Sequence, residues 1–348
     1  MIRVSLFVYF MLQCIGTFAQ VGSNSNFYFS EMPVSPIATG LGVSAVGAYD
    51  TDLNQVVSNP AFIDSTLDQS IALSYQNYLS DINQVSLSYG QLVDGVGLVS
   101  GYLRYLDYGT FQETDEFGQE LGEFSSSDYE LGITLGKTYS DKISYGVTVK
   151  QLFSNLYKQF AYGIAADIGG YYSTEKGLSF GVTLDNVGMR MVDYSGTSFS
   201  WMKPSVNLGI SKKFSKAPLQ IGLQYNNIET WDLAVNDIDQ ANNLTVDQLT
   251  GESSRRTFTF DNLARHLNIS VAFIPSKKIN IFGGFNARRR LELAANQRPA
   301  LIGFSLGTQI RVSRFNFQYA LSSYHLNGAV NHLGITTNLH DWYSKKAL

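Results

Sequence analysis

The sequence predicts an all-β fold, a transmembrane up-and-down antiparallel β-barrel of about 14 strands with an N-terminal plug or hatch segment. Three observations predict it. Large apolar side chains recur at every second position in one stretch after another, the positions between them carry small polar residues, and the connections alternate between short and long. Composition agrees. Of 348 residues, 16 % are charged, against roughly 25 % in an average soluble domain, while aromatics reach 13 %. The 25 Lys and Arg against 29 Asp and Glu offer no net basic field for a nucleic-acid backbone. No apolar run near the length of a membrane helix occurs after the leader, a test that a strand-built barrel passes because its strands alternate.

The chain divides into residues 1–19, 20–69 and 70–348. Arg3, the apolar stretch Val4 to Leu12 and the small-residue site Thr17-Phe18-Ala19 read as a signal peptide cleaved before Gln20. The alternative, lipid attachment at Cys14, has Met11, Leu12 and Gln13 in place of a good lipid-attachment box. Loss of Cys14 with the leader leaves no thiol for a disulfide or a nucleophile. Residues 20–69 lack period two. They contain Gly40-Leu41-Gly42 and the plug candidates Asp50, Asp52, Asn54, Asn59 and Pro60. A segment of this size is expected to pack against glycine-rich inner faces of a barrel, where missing side chains allow close backbone approach. A periplasmic arm is the alternative.

From residue 70 onward period two dominates: Val85, Leu87, Tyr89; Tyr129, Leu131, Ile133, Leu135; Val147, Val149; Phe180, Val182, Leu184; Ile221, Leu223, Tyr225; Ile269, Val271, Phe273; Phe315, Phe317, Tyr319. No helix is expected there. The opposite faces decide between water and lipid. A soluble sandwich carries Lys, Glu and Arg on its outer face, whereas these strands carry Ser86, Ser88, Gly90, Gly132, Thr134, Ser179, Gly181, Thr183, Gly222 and Gln224. Small polar residues suit a filled or wet barrel interior, with the bulky face turned to acyl chains. About 10 residues rising ~3.3 Å each and tilted ~40° span roughly 25 Å, the height of an outer-membrane apolar band. Short links such as Ser140-Asp141-Lys142, Ser276-Lys277-Lys278 and Ser313-Arg314 alternate with long ones near 107–127, 190–200, 229–265 and 291–299. Tight periplasmic turns on one rim and loops on the other give this pattern.

Enzyme motifs are weak. Gly177-Leu178-Ser179-Phe180-Gly181 and Gly303-Phe304-Ser305-Leu306-Gly307 match a nucleophile elbow in letters only, because each serine continues a strand and no helix follows. His266, His325, His332 and His340 show no metal-ligand spacing, and neither a metal nor a cofactor is expected. The long connections carry the candidates for partner binding: apolar Trp231, Leu233 and Ile238, and the cations Arg255, Arg256, Arg288, Arg289 and Arg290, whose guanidinium forks suit phosphate and carboxylate. Pairing with neighbouring Asp and Glu is the competing reading of those arginines.

Phe27-Tyr28-Phe29 with Pro33, Ser35, Ala38 and Leu41-Gly42, then Asp52, Asn54, Asn59-Pro60-Ala61, Ser74 to Ile82, Arg265-His266-Leu267 and the Asn286 to Arg290 run resemble the outer-membrane barrels of the fatty-acid transporter superfamily. Within it they look most like the PorV and PorQ group of the type IX secretion system of Bacteroidota. Where that group usually shows Ser-Ala-Arg, this chain has Ser35-Pro36-Ile37-Ala38. The resemblance implies a fourteen-stranded barrel with a plug, in the outer membrane with its loops at the cell surface. It implies a non-enzymatic part of the attachment complex, anchoring a PorZ-like surface protein beside the PorU sortase and PorV, with lipopolysaccharide in reach. The alternative is a channel for hydrophobic small molecules like the fatty-acid transporters, against which the small polar inner faces weigh.

Overall fold

A computed structural model describes residues 27–42, 46–47, 52–194, 196, 199–231, 233, 245–246, 253–254, 260–293, 301–325 and 328–343. The leader and, among the candidates above, Asp50, Ile238, Arg255 and Arg256 lie outside the described residues.

Fourteen antiparallel strands form the wall: β1 (Ser70–Asn77), β2 (Asn83–Val93), β3 (Gly97–Thr114), β4 (Glu120–Ser140), β5 (Ile143–Leu156), β6 (Gln159–Ser173), β7 (Leu178–Val192), β8 (Ser205–Lys213), β9 (Leu219–Tyr225), β10 (Leu267–Ser276), β11 (Ile279–Asn286), β12 (Phe304–Val312), β13 (Phe315–His325) and β14 (Gly328–Asn338). They neighbour one another in sequence order, and β1 pairs with β14 from Ser70↔Asn338 to Asn77↔Asn331, so the sheet closes. The two-residue strand Ser200–Trp201 is added on β7 alone. Closure satisfies every strand's ladder and removes the edges that hydrocarbon would not tolerate.

The two faces are as different as the alternation predicts. On β4, Leu131, Ile133 and Leu135 are 46, 62 and 52 % exposed on the outside, whereas Glu130 and Thr134 between them are each 1 % exposed on the inside. The same outward apolar row recurs around the wall, as at Leu87, Val149, Val182, Leu223, Ile269 and Phe317. An exposed apolar belt of this extent has no place on a protein surrounded by water.

Two expectations need correction. The stretch 107–127 is not an irregular loop: β3 and β4 run for 18 and 21 residues and stay paired beyond an irregularity at Asp107/Thr110, with Phe111 opposite Phe124. Gly109, with φ +82°, lies at that irregularity. Asp115 Oδ1 accepts from the amides of Phe117 and Gln119 at 2.9 and 2.8 Å and closes the hairpin turn. Helices also occur among the long connections, at Phe260–Arg265 and Ala287–Leu293, with a third at His340–Tyr343. They are too short for a readable period. In the second, Asn286 Oδ1 caps the amide of Arg289 at 3.0 Å, and Arg288 pairs with Glu292 one turn on.

The N-terminal segment lies within the ring, since it touches inward positions all round the wall. Ser74 on β1 donates to the Val34 carbonyl at 2.8 Å, and Thr39 meets His332 on β14 at 2.7 Å. Opposite, a Cβ added to Gly146 on β5 would come within 2.1 Å of the Pro60 carbonyl, and one on Gly181 of β7 within 1.8 Å of the Val46 carbonyl. Inward glycines therefore permit backbone to touch backbone. The apolar clusters of the molecule sit at this contact: Phe27 and Phe29 with Leu106 and Leu152, Leu53 and Val56 with Leu98, and Ile37 and Leu41 with Phe282.

A charge on the outward row tests the lipid-facing assignment. Ile133→Arg, placed mid-strand, is expected to lower stability by about 2–4 kcal/mol, and Thr110→Arg on the extended hairpin by about 1 kcal/mol or less. Urea titration of the barrel refolded into phospholipid vesicles reads both; equal small losses would overturn the assignment.

Candidate functional site

The Leu53–Val57 turn is largely buried in the interior. Asp52 precedes it and caps it, accepting from the Asn54 amide at 3.3 Å. Its carboxylate also accepts from Ser35 Oγ at 2.9 Å and from Thr336 Oγ1 of β14 at 3.3 Å. Ser35 in turn caps the Pro36–Gly40 helix. Asp52 thus ties two pieces of the inner segment to each other and to the wall. Asn54 Oδ1 accepts from Ser88 of β2 at 2.9 Å. Asn59 turns the chain by accepting from the Ala61 amide at 3.0 Å and donates to the Val46 carbonyl at 3.1 Å. These four candidates, Asp52, Asn54, Asn59 and Pro60, are all buried at the contact between segment and wall.

Two cavities meet this turn from opposite rims. One, of about 350 Å³, opens toward the long-loop rim and has Val57 and Ser58 in its floor. The other, of about 380 Å³, opens toward the short-turn rim and has Gln55 in its floor, with Ile37 and Leu41 beside it. Their chemistry differs. Five carboxylates (Glu31, Glu130, Asp167, Asp185, Glu292) and four cations (Lys150, Arg265, Arg288, Arg289) line the first. The second is lined, among the described residues, by Lys213, Lys277 and Arg311, by apolar Phe282, Ala272 and Ile274, and by no carboxylate.

In the outer cavity the charges interlock. Arg104 pairs with Glu130 at 3.4 Å and donates to the Phe29 carbonyl, while Tyr102 donates to Glu130. Lys150 pairs with Asp167 at 2.6 Å, Asp167 also accepts from the Asn186 amide at 2.7 Å, and Asp185 accepts from Asn207 and Thr183, each at 2.8 Å. Desolvation of this kind is costly unless each charge keeps a partner, as here. Enclosure by the protein raises the Glu31 carboxyl above its ordinary range, and Arg288 opposes that rise. Alternation revealed the small residues of this wall; Arg104, Glu130, Lys150, Asp167 and Asp185 were missed. The available signal was a charge at an inward parity position, as Lys150 shares a face with Gly146 and Thr148.

The partner candidates are scattered. Arg288 donates through Nε to both oxygens of Glu292, at 3.0 and 3.2 Å. Arg289 donates to Ser322 at 3.0 Å and to the Tyr324 hydroxyl, and its guanidinium lies 3.8 Å from the centre of the Tyr324 ring. Both line the outer cavity. Arg290, on the same helix, has its Cβ beside Gly303. Trp231 is partly exposed, its carbonyl 3.3 Å from His266 Nε2, and Leu233 is half-buried.

No family model matches the chain, and no curated protein matches it in sequence. Solved structures do match. The toluene transporter TodX of Pseudomonas putida superposes with a TM-score of 0.50 at 12 % identity, covering 87 % of this chain and 96 % of that one. The toluene transporter TbuX of Ralstonia pickettii gives 0.48 at 11 % over 88 and 98 %, and a FadL homologue of Pseudomonas aeruginosa 0.44 at 10 % over 87 and 98 %. At such identities the likeness establishes the barrel fold of outer-membrane proteins and nothing of the cargo.

Removing one member of the buried charge cluster is expected to be costly. Lys150→Met strands Asp167 beside Asp185 and Glu130 and is expected to lose about 3–5 kcal/mol, most of it regained when Asp167→Asn is added. Urea midpoints of the two variants check this; no recovery in the double variant would refute the pairing account.

Proposed function

We propose that the chain is an outer-membrane barrel that passes small molecules bearing an apolar part, with the inner segment as its plug. One observation carries the reading: cavities at opposite rims both reach the Leu53–Val57 turn, Gln55 lining one and Val57 with the following Ser58 lining the other. The short-turn rim then faces the periplasm and the long-loop rim the cell surface. The toluene transporter TodX shares the fold, and passage is consistent with that. The charged outer cavity argues against a wholly apolar cargo.

A second reading keeps the barrel as a docking platform, a PorQ-like component of the type IX attachment complex that anchors a PorZ-like surface protein beside PorU and PorV. The observation that favours it is the β3–β4 extension, which presents Phe117 at 89 % and Leu121 at 62 % exposure beyond the apolar band. Trp201 and Phe260, also exposed, add to that material. The rim arginines Arg288 and Arg289 point into the cavity and contribute less to such a surface than their sequence suggests. Lipopolysaccharide contact remains part of this second reading.

For passage, Gly181→Leu is expected to push Val46 off the wall and raise single-channel conductance in planar bilayers severalfold. A Cβ at Gly334 would lie 2.8 Å from Pro36 Cγ, within disulfide reach, so the pair Pro36→Cys and Gly334→Cys is expected to conduct less when oxidised than when reduced. Equal conductance of wild type, Gly181→Leu and both redox forms would sink the passage reading. For docking, replacing residues 110–124 by a short turn is expected to release a surface protein into the medium while the barrel stays heat-modifiable; an unchanged surface protein profile would count against it.

A further inference from the structure

The β3–β4 hairpin outruns the strands on either side of it. β2 pairs with β3 only as far as Asn83↔Asp107, and β5 with β4 only as far as Ser126↔Leu156. Beyond those points, residues 110–114 and 120–125 pair with each other, from Thr110↔Ser125 to Thr114↔Glu120, and with no third strand among the described residues. The connections that flank the hairpin in the ring, 78–82 and 157–158, lie wholly among the described residues and add no strand along it. A two-stranded ribbon directs alternate amides and carbonyls of each strand away from its partner. The two edges differ. Tyr157 lies against the β4 edge, its ring 4.6 Å from that of Phe124 and its amide donating to Ser126 Oγ at 3.3 Å. On the β3 side, Asp81 approaches the foot, where a Cβ added to Gly109 would lie 3.3 Å from its own. The charge is one-sided: residues 108–126 hold Glu113, Asp115, Glu116, Glu120 and Glu123 and no Lys or Arg. Lys158, from the neighbouring turn, pairs with Glu113 at 3.5 Å. Phe111, 43 % exposed and stacked on Phe124, shares a strand face with Glu113.

We propose that the β3 edge at residues 110–114 is a docking site for an extended, lysine- or arginine-bearing segment of a partner polypeptide, which adds to the hairpin as a third strand. The inference rests on the docking reading and names its contact. Main-chain hydrogen bonds to the free edge supply affinity, and alternate side chains supply selection. On one face the guest strand meets Phe111 and Glu113, and on the other Thr110 and Gln112. An open edge accepts strands at large unless it is guarded, and charge is a common guard. Here the guard has one sign. A second copy of the hairpin would set five carboxylates against five, and the phosphates of a lipid surface are repelled in the same way. A basic strand is attracted and steered. A third strand also suits the ribbon, because two strands alone are marginal in water and three with an apolar face are not.

The test uses the full barrel in a non-ionic detergent and the fluorescence anisotropy of three labelled heptapeptides. In one, lysine alternates with valine; in the second, glutamate replaces lysine; the third is the lysine peptide N-methylated at every amide. At low salt the lysine peptide is expected to bind about tenfold or more tighter than the glutamate peptide. N-methylation keeps the charges but removes every amide donor, and is expected to cost about tenfold or more. The triple variant Glu116→Gln, Glu120→Gln, Glu123→Gln is expected to weaken the lysine peptide by about three- to tenfold, and replacement of residues 110–124 by a short turn to abolish its binding. Unchanged heat modifiability of both variants separates loss of the edge from misfolding. Equal binding of the lysine and glutamate peptides, no binding, or binding that survives N-methylation or hairpin replacement would overturn the proposal. With no peptide bound, self-association of the barrel that is lost with the hairpin would overturn it in favour of a second copy. Hairpin-dependent binding to vesicles of lipopolysaccharide and phosphatidylethanolamine would overturn it in favour of a lipid surface. Release of a surface protein on hairpin replacement, without the peptide preferences, would leave docking standing and remove strand addition. The peptide preferences with an unchanged surface-protein profile would leave the edge standing and remove the docking reading.

Discussion

Hydrocarbon offers no partner to a peptide group, and that constraint organises the rest of this molecule. A strand set in lipid must give its amides and carbonyls to neighbouring strands on both sides, and only a closed ring does so for every strand. Closure then creates an inside and an outside along each strand at alternate residues. The outside is satisfied by Leu, Ile, Val and Phe. The inside of a fourteen-strand ring is too wide for its own small side chains to fill, and here the N-terminal segment of the same chain occupies it.

Filling the ring with backbone shapes the interior chemistry. Glycines on the inner face let carbonyls of the segment approach to contact, which a Cβ would prevent. Because the segment's turns are short, their polar groups must be matched by side chains, as Asp52 does for Ser35 and Thr336 at once. The matching is incomplete: Gln55 and Gln76 are fully buried without protein partners. The contact thus combines apolar clusters, single hydrogen bonds and partly unmatched amides.

The two cavities left by this packing have opposite electrostatic characters. On the outer side, acid and base are interlocked across β3 to β7, so the charges hold the wall and the segment entrance in register. On the inner side, Lys213, Lys277 and Arg311 stand beside apolar Phe282, Ala272 and Ile274.

Sequence alone determined the strand-built class and the lipid-facing row, because period two is a local property that each strand displays by itself. It also singled out Asp52, Asn54, Asn59 and Pro60, since turn-forming residues in a stretch without period stand out locally. It misread 107–127, where a register irregularity interrupts the paired strands, and the helix over Ala287–Leu293, which is under two turns. Only the tertiary structure decided which inward residues meet. Arg104 opposes Glu130 through the β3–β4 register, and Lys213 shares a mouth with Arg311 across three intervening strands. Alternation says which face a side chain takes; register and ring closure say whom it faces there, and those depend on the whole circumference at once.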